Sequence, residues 1–248
     1  GRLLTIEGLT IEAGSHPIII GAGGTGGTGS YNCGSQSGAT AREFPAAANG
    51  GDTSFLGIIT KGGGGGKGCC SADGQGNNGG SGGGKLRGVG GSNIASTIPG
   101  SMDYTTLNDY GNNGGGVADS YGGGGGGAGG PGLSSHTGTG GPGLRPFSGL
   151  DSYGTNINNY QGGGYFAGGG AGGTHGASNL NLLWGGVGGG GGSGSKSGWG
   201  NQSGNSIYGK SGYANTGSGG AGIAHNASCN GPYAGSGGSG IVIIRYTI

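Results

Sequence analysis

Large apolar side chains are scarce in this 248-residue chain. Leu, Ile, Val and Phe together make up about 15% of it, below the roughly 20% at which a conventional core becomes doubtful. A classical enzyme core is excluded on that ground. Charge is scarce too: ten basic residues stand against nine acidic ones, for a formal net charge of +1. So small an imbalance leaves no electrostatic footprint for nucleic acid, and it does not hold the chain open by self-repulsion as high net charge does in disordered segments. Long hydrophobic runs are missing, the longest being Ile241 to Ile244, far short of the roughly 20 residues of a membrane span. Proline occurs only seven times, whereas collagen needs abundant proline and a strict Gly-X-Y period.

What fills the chain instead is glycine, at 81 residues. Each glycine costs about 1 kcal/mol relative to alanine in a helix interior, so a helical bundle is excluded. Unbroken runs such as Gly62 to Gly66, Gly122 to Gly127 and Gly188 to Gly192 carry neither the 3.6-residue nor the two-residue side-chain period. They suit the left-handed, three-residue helix of the polyproline II type, which makes no internal hydrogen bonds. Every N–H and C=O in such a run must then find a partner in a neighbouring run. The expected fold class is therefore neither α nor conventional β, but a bundle or sandwich of polyglycine II helices, with the non-glycine patches as turns and loops at its ends. Asn49-Gly50, Asp73-Gly74, Asn113-Gly114 and Asn230-Gly231 are read as turn dipeptides.

Both ends of the chain read differently. Leu4, Ile6, Leu9 and Ile11 alternate with Thr and Glu around Gly8, and Ile18 to Ile20 follow a turn at Ala13-Gly14-Ser15, which predicts strands within residues 1–20. Residues 241–248, IVIIRYTI, form the most strand-prone stretch of the molecule. The two ends are expected to lie close together or to share a small sheet, flanking a bundle over residues 21–240 within a single glycine-rich domain.

Several stretches carry a resemblance. AGSHPIIIGAGGTGG from Ala13, NGGDTSFLGIITKGGGGG from Asn49, GQGNNGG from Gly74, YGGGGGGAGGPG from Tyr121, GYANTGSGGAG from Gly212 and GGSGIVIIRY from Gly237 follow one another across nearly the whole chain. Together they resemble the glycine-rich domain proteins of environmental, especially aquatic, tailed phages, which are usually encoded among tail genes. More distantly, the architecture is similar to that of the distal tail-fibre adhesins of T-even-like phages, in which a polyglycine II sandwich presents loops to the host. The resemblance implies a receptor-binding module on a virion tail fibre or extracellular surface, with other fibre subunits as partners. It also implies an attachment segment upstream of Gly1. The alternative is a structural protomer of a fibre or filament, joined through bundle edges and terminal strands.

For recognition, the aromatic and amide patches are the candidates: Tyr104, Tyr110, Asn112, Tyr153, Asn158, Tyr160, Trp199, Tyr208 and Tyr213. Tyr among Ser, Gly and Asn is the chemistry of antibody paratopes, where rigid rings supply area and small polar groups supply hydrogen bonds. Such groups suit a host glycan or an outer-membrane protein. Some of these rings also cap the glycine runs, as the placement of Tyr165 and Phe166 between runs suggests.

Catalytic chemistry finds little to stand on. Residues 204–211 match the phosphate-loop pattern G-x-x-x-x-G-K-[ST], but that mechanism needs a strand before the loop and a helix after it, and Gly212 to Gly222 is too glycine-rich to be helical. His16, His136, His175 and His225 are isolated, and the nine acidic residues are scattered singly, so no catalytic residue, cofactor or metal is assigned. Cys33, Cys69, Cys70 and Cys229 lack the C-x₂₋₄-C spacing of zinc sites. Two readings stay open for them: disulfides stapling distant runs, or free thiols filling small gaps. Asn201 and Asn226 fit the N-x-[ST] acceptor pattern.

Overall fold

The structure, a computed structural model, describes residues 1–27, 47–66, 76–86, 89–117, 122–134, 138–156, 162–175, 184–191, 202–203, 206–207, 209–222, 224–225 and 234–246. Among these residues there is no α-helix. Regular pairing is confined to eleven short strands: β1 (Leu3–Glu7), β2 (Ile18–Ile19), β3 (Thr53–Phe55), β4 (Ile58–Thr60), β5 (Lys85–Leu86), β6 (Thr106–Tyr110), β7 (Gly116–Val117), β8 (Thr174–His175), β9 (Gln202–Ser203), β10 (Ser206–Ile207) and β11 (Ala224–His225). They make four small sheets, in the orders β1-β6, β2-β3-β4, β5-β7 and β8-β11-β10-β9, mostly antiparallel. The fold is neither α nor conventional β.

Most of the chain is held by backbone bonds between glycine runs, and these bonds advance by three residues. The run 21–27 receives bonds from Ala234, Gly237 and Gly240 at the carbonyls of Gly27, Gly24 and Gly21, at 2.8–3.1 Å. On another side it receives them from Gly51 and Ala48 at Ala22 and Thr25. Run 47–50 bonds in turn to Gly63 and Gly66, run 62–65 to Gly80 and Asn77, and run 76–79 to Val89 and Ser92. A second series links Gly122, Gly125 and Ala128 to Gly173, Gly170 and Ala167, and Gly219 and Gly222 to Gly168 and Ala171. The two series join where Gly235 and Gly238 bond to Ala221 and Ser218, and again through the run 82–85, which bonds to Asn77 on one side and to Gly123 and Gly126 on the other.

The positions of glycine follow from this packing. In the run 21–27, a Cβ at Gly21 or Gly24 would come within 3.0 Å of the backbone at Gly51 or Ala48, and one at Gly23 or Gly26 within 3.0 Å of Gly237 or Ala234. Ala22 and Thr25, the residues of that run which carry side chains, are exposed. Side chains are therefore admitted every third residue, on the one face without a neighbouring run. In the run 122–127 the same step recurs: Gly123 and Gly126 abut Gly115 and Asn112, while Gly124 and Gly127 abut Thr139 and Pro142.

Among the described residues, apolar side chains gather mainly at one place, apart from a small cluster of Ala171 and Ala221. Ala128, Leu150, Phe166 and Ala167 form a buried cluster, against which Leu3, Tyr110, Leu144, Phe147, Ile241 and Ile243 pack. The ends of the chain are thus close together, as Gly240 bonding to Gly21 also requires, but they do not share a sheet. β1 pairs with β6 in the register Leu3↔Tyr110 to Glu7↔Thr106, and residues 241–246 form no strand. Arg2 and Asp109, one residue before β1 and within β6, form an ion pair that pins this pairing. The last residues instead lay Ile241 and Ile243 on the cluster, and Arg245 sits 4.5 Å over the Phe147 ring. The strands expected around Leu9 and Ile11 are also absent: residues 9–12 carry no strand, and Thr10 bonds to Asp103 through its N–H and its hydroxyl.

Candidate binding surface

Asn49-Gly50 and Asn113-Gly114 are not turns. Asn49 lies inside the run 47–51 and Asn113 inside 111–116, each bonded to neighbours through flanking backbone groups. An Asn-Gly pair marks a turn only where the chain is free to reverse; here adjacent runs hold it extended and the amide side chain is directed to bonds between runs. Asp73-Gly74 and Asn230-Gly231 lie outside the described residues.

The result is a row of exposed amides across several runs. Asn49 Oδ1 accepts the Gly65 N–H at 2.9 Å, while its Nδ2 donates to the Asn78 carbonyl at 2.8 Å. Asn78 Oδ1 accepts the Ser92 N–H at 2.8 Å. Next in sequence, the Asn93 N–H and Nδ2 both donate to Asn113 Oδ1, at 2.9 and 3.0 Å. Asn49, Asn78, Ser92, Asn93 and Asn113 are all exposed. The amides of Asn49, Asn78 and Asn113 are oriented by the backbone, because a main-chain N–H identifies the atom it meets as the oxygen, and that of Asn93 by its Nδ2 on Asn113 Oδ1.

The residues singled out from sequence have mixed positions. Tyr104 and Tyr153 are exposed, at 37% and 51%, and Tyr153 sits in a turn closed by its N–H on the Leu150 carbonyl. Tyr110 ends β6 and packs on the apolar cluster. Asn112 Nδ2 donates to the carbonyls of Gly127 and Ala128 at 2.9 and 3.1 Å, tying its loop to the next run. Tyr213 is half-buried and donates its N–H to the Gly189 carbonyl. Asn158, Tyr160, Trp199, Tyr208, Asn201, Asn226 and the four cysteines lie outside the described residues. Tyr104 and Tyr153 point outward as a binding patch requires, whereas Tyr110 and Asn112 serve the framework. Nothing local in the sequence marks Asn49, Asn78 and Asn93, because the groups they bond lie on runs distant in sequence.

Two other features bear on chemistry. Between the two series of runs lies a cleft of about 1050 Å³. Its apolar lining includes Leu4, Ile6, Phe55, Ile58, Ile241 and Ile243, and its charged lining Arg2, Glu7, Lys85 and Arg245. Around the phosphate-loop pattern, Ser206–Ile207 is strand β10, paired with β9 and β11, and residues 209–222 contain no helix. The helix N-terminus that would meet a phosphate is not there.

The ion pair of Arg2 and Asp109 lies beside the amide row. Arg2 bonds through Nη2 to Asp109 Oδ2 at 2.8 Å and through Nη1 to the carbonyls of Gly80 and Ile94. Asp109 also accepts the Ser96 N–H and hydroxyl, at 2.9 and 2.8 Å. Burial alone would raise the Asp109 carboxyl; the bonds from Arg2 and Ser96 outweigh it and hold the group below its ordinary value. Asp52 behaves alike: burial raises it, and bonds from Lys61 and the Gly62 N–H bring it down.

No curated protein and no solved structure matches the chain. The sequence model of the glycine-rich domain matches residues 1–247, which is the whole of the framework just described together with its ends. The chain belongs to the glycine-rich domain family.

Proposed function

We propose that this chain is a non-enzymatic adhesin of a phage tail fibre, a polyglycine II scaffold that holds polar and aromatic side chains against a host-cell surface. Its receptor is a surface glycan or an outer-membrane protein, and its other partners are fibre subunits, on a virion tail fibre or extracellular surface. The observation that carries the reading is the three-residue step of the bonds between glycine runs. Polyglycine II has three residues per turn and no internal hydrogen bonds, so residues i and i+3 face the same neighbour. A platform so bonded fixes its loops cheaply, and recognition residues concentrate on loops of rigid scaffolds. The exposed Tyr104 and Tyr153 suit that role. Labelled chain, applied to a panel of aquatic bacterial isolates, is expected to bind a subset of them, and Tyr104→Ala with Tyr153→Ala to weaken that binding without unfolding. Binding to none of the isolates, or to all equally, defeats the reading.

One observation favours the structural alternative. Ile18, Ile19 and Ile20 are 47%, 61% and 45% exposed, and Tyr246 is 80% exposed, while β2 is the outer strand of its sheet. Exposed apolar edges pair with other chains. A filament protomer is expected to sediment as concentration-dependent oligomers that Ile19→Lys disperses; the adhesin reading expects the unaltered chain not to polymerise.

A further inference from the structure

We infer that the exposed amide row of Asn49, Asn78, Asn93 and Asn113 is a subsite for neutral, hydroxyl-rich glycan; this rests on the adhesin reading and names the surface that makes the contact. Each amide in the row spends part of its hydrogen-bonding capacity on the protein. Asn78 and Asn113 use Oδ1, to accept from Ser92 and from Asn93. Their Nδ2 groups have no partner among the described residues, and neither does Asn93 Oδ1. Asn49 uses Oδ1 on Gly65 and one of its two Nδ2 protons on Asn78. Donors and an acceptor therefore remain along one exposed line, those of Asn49, Asn78 and Asn113 held by main-chain N–H bonds and that of Asn93 by its Nδ2 bond to Asn113 Oδ1.

Such an arrangement matches vicinal hydroxyls, each of which can both accept from an amide N–H and donate to an amide oxygen. The groups are already oriented, so little side-chain freedom is lost when a ligand binds. They are also already exposed to water, so hydroxyls replace water without a desolvated polar group being left over. The amides bring no charge, and the nearby Arg2 guanidinium is engaged by Asp109 and two carbonyls. A neutral sugar is favoured over a uronic acid or phosphate for that reason. Val89, 65% exposed, and Ile94, 43% exposed, lie on the same stretch of chain as Ser92 and Asn93 and offer apolar surface for the C–H faces of sugar rings.

The test uses the isosteric exchange of amide for carboxylate. In Asn78→Asp with Asn113→Asp, one oxygen still accepts the Ser92 N–H at residue 78 and the two Asn93 donors at residue 113. The framework bonds survive while the outward N–H donors are replaced by charged acceptors. The full chain and this double variant are measured on a printed array of neutral oligosaccharides of glucose, galactose and mannose, with thermal unfolding in parallel and Thr25→Ala, an exposed residue outside the row, as a control. The full chain and the control are expected to bind members of the array, and the double variant to bind them at least about tenfold more weakly with its unfolding midpoint unchanged. Equal binding by the double variant overturns the subsite and leaves the adhesin reading standing. Binding of the chain to bacteria but to no neutral sugar overturns the glycan class alone, and binding to neither overturns both. A double variant that unfolds shows that the amide N–H groups serve the fold, which also overturns the inference.

Discussion

Gly24 and Thr25 are chain neighbours with opposite tolerances. A Cβ on Gly24 would meet the backbone of Ala48 and Asn49 inside 3.0 Å, where no flexible side chain can move aside, whereas Thr25 already carries its side chain into solvent. Gly24→Ala is expected to cost about 1–3 kcal/mol, as overpacking does, and Thr25→Ala less than about 0.5 kcal/mol; thermal midpoints of the two variants compare them directly. Asp109 is bonded by Arg2 and Ser96 through both carboxylate oxygens. Its folded carboxyl lies below the ordinary value of 3.8, so it contributes stability above that pH and loses the contribution as pH falls through its own lower value. Melting temperature should decline on acidification below about 3.8, less steeply in Asp109→Asn. Asp109→Ala strands the buried Arg2 cation and should cost about 3–5 kcal/mol, read from denaturant midpoints. Sequence conveyed which residues must be small, through glycine itself, but not what Asn49 and Asn113 do. Asn-Gly reports the local freedom of the backbone, and the runs that override it lie elsewhere in the chain.

Among the elements, the hairpin β3–β4 depends most on its loop. Leu56 and Gly57 connect Phe55 to Ile58 with φ of 52° and 78°, the signs required at both central residues of a type I′ turn. Glycine meets that demand at no steric cost, while leucine is strained at positive φ. Gly57→Ala should destabilise the chain by about 1 kcal/mol or more, and Leu56→Asn should recover part of the strain at its own position; urea midpoints of the two variants are expected to move in opposite directions. β1 was legible because Leu-Leu-Thr-Ile-Glu alternates. Its partner β6, Thr-Leu-Asn-Asp-Tyr, is not legible as a strand, because its strand character comes from β1 and from the Arg2–Asp109 pair. Ile241 to Tyr246 show the converse, a stretch of high β-propensity that forms no strand. There the burial of Ile241 and Ile243 against Leu150 and Phe166 decides the path, and propensity in a strand is a measure of such packing more than of backbone preference.

At the scale of the whole molecule, stability comes from a different balance than in a conventional domain. Among the described residues, the fully buried hydrophobic side chains are Ile58, Leu150, Phe166 and four alanines. Apart from the polar side chains of Ser81, Lys85, Thr155, Thr216 and Ser218, the rest of that interior is backbone, with carbonyls and amides bonded from run to run and glycine Cα groups packed close enough for weak C–H···O contacts. That much followed from composition: a chain with so few large apolar residues and so many glycines orders itself through its main chain or not at all. The thermodynamic consequence is specific. Exposing apolar surface raises the heat capacity of unfolding and exposing polar surface lowers it, so ordinary domains show about 12–15 cal/mol/K per residue. Here unfolding uncovers mostly peptide groups and few large side chains, so calorimetry should give a value per residue clearly below that range, with a stability curve correspondingly flat in temperature. Hydrogen-bonded backbone would then be the main opponent of chain entropy, and because glycine has more of that entropy to lose than any other residue, removing one run should unfold its neighbours as well. An ordinary heat capacity change would instead mean that the apolar cluster around Phe166 extends much further than the side chains buried with it, and that the glycine runs are its covering and not the framework.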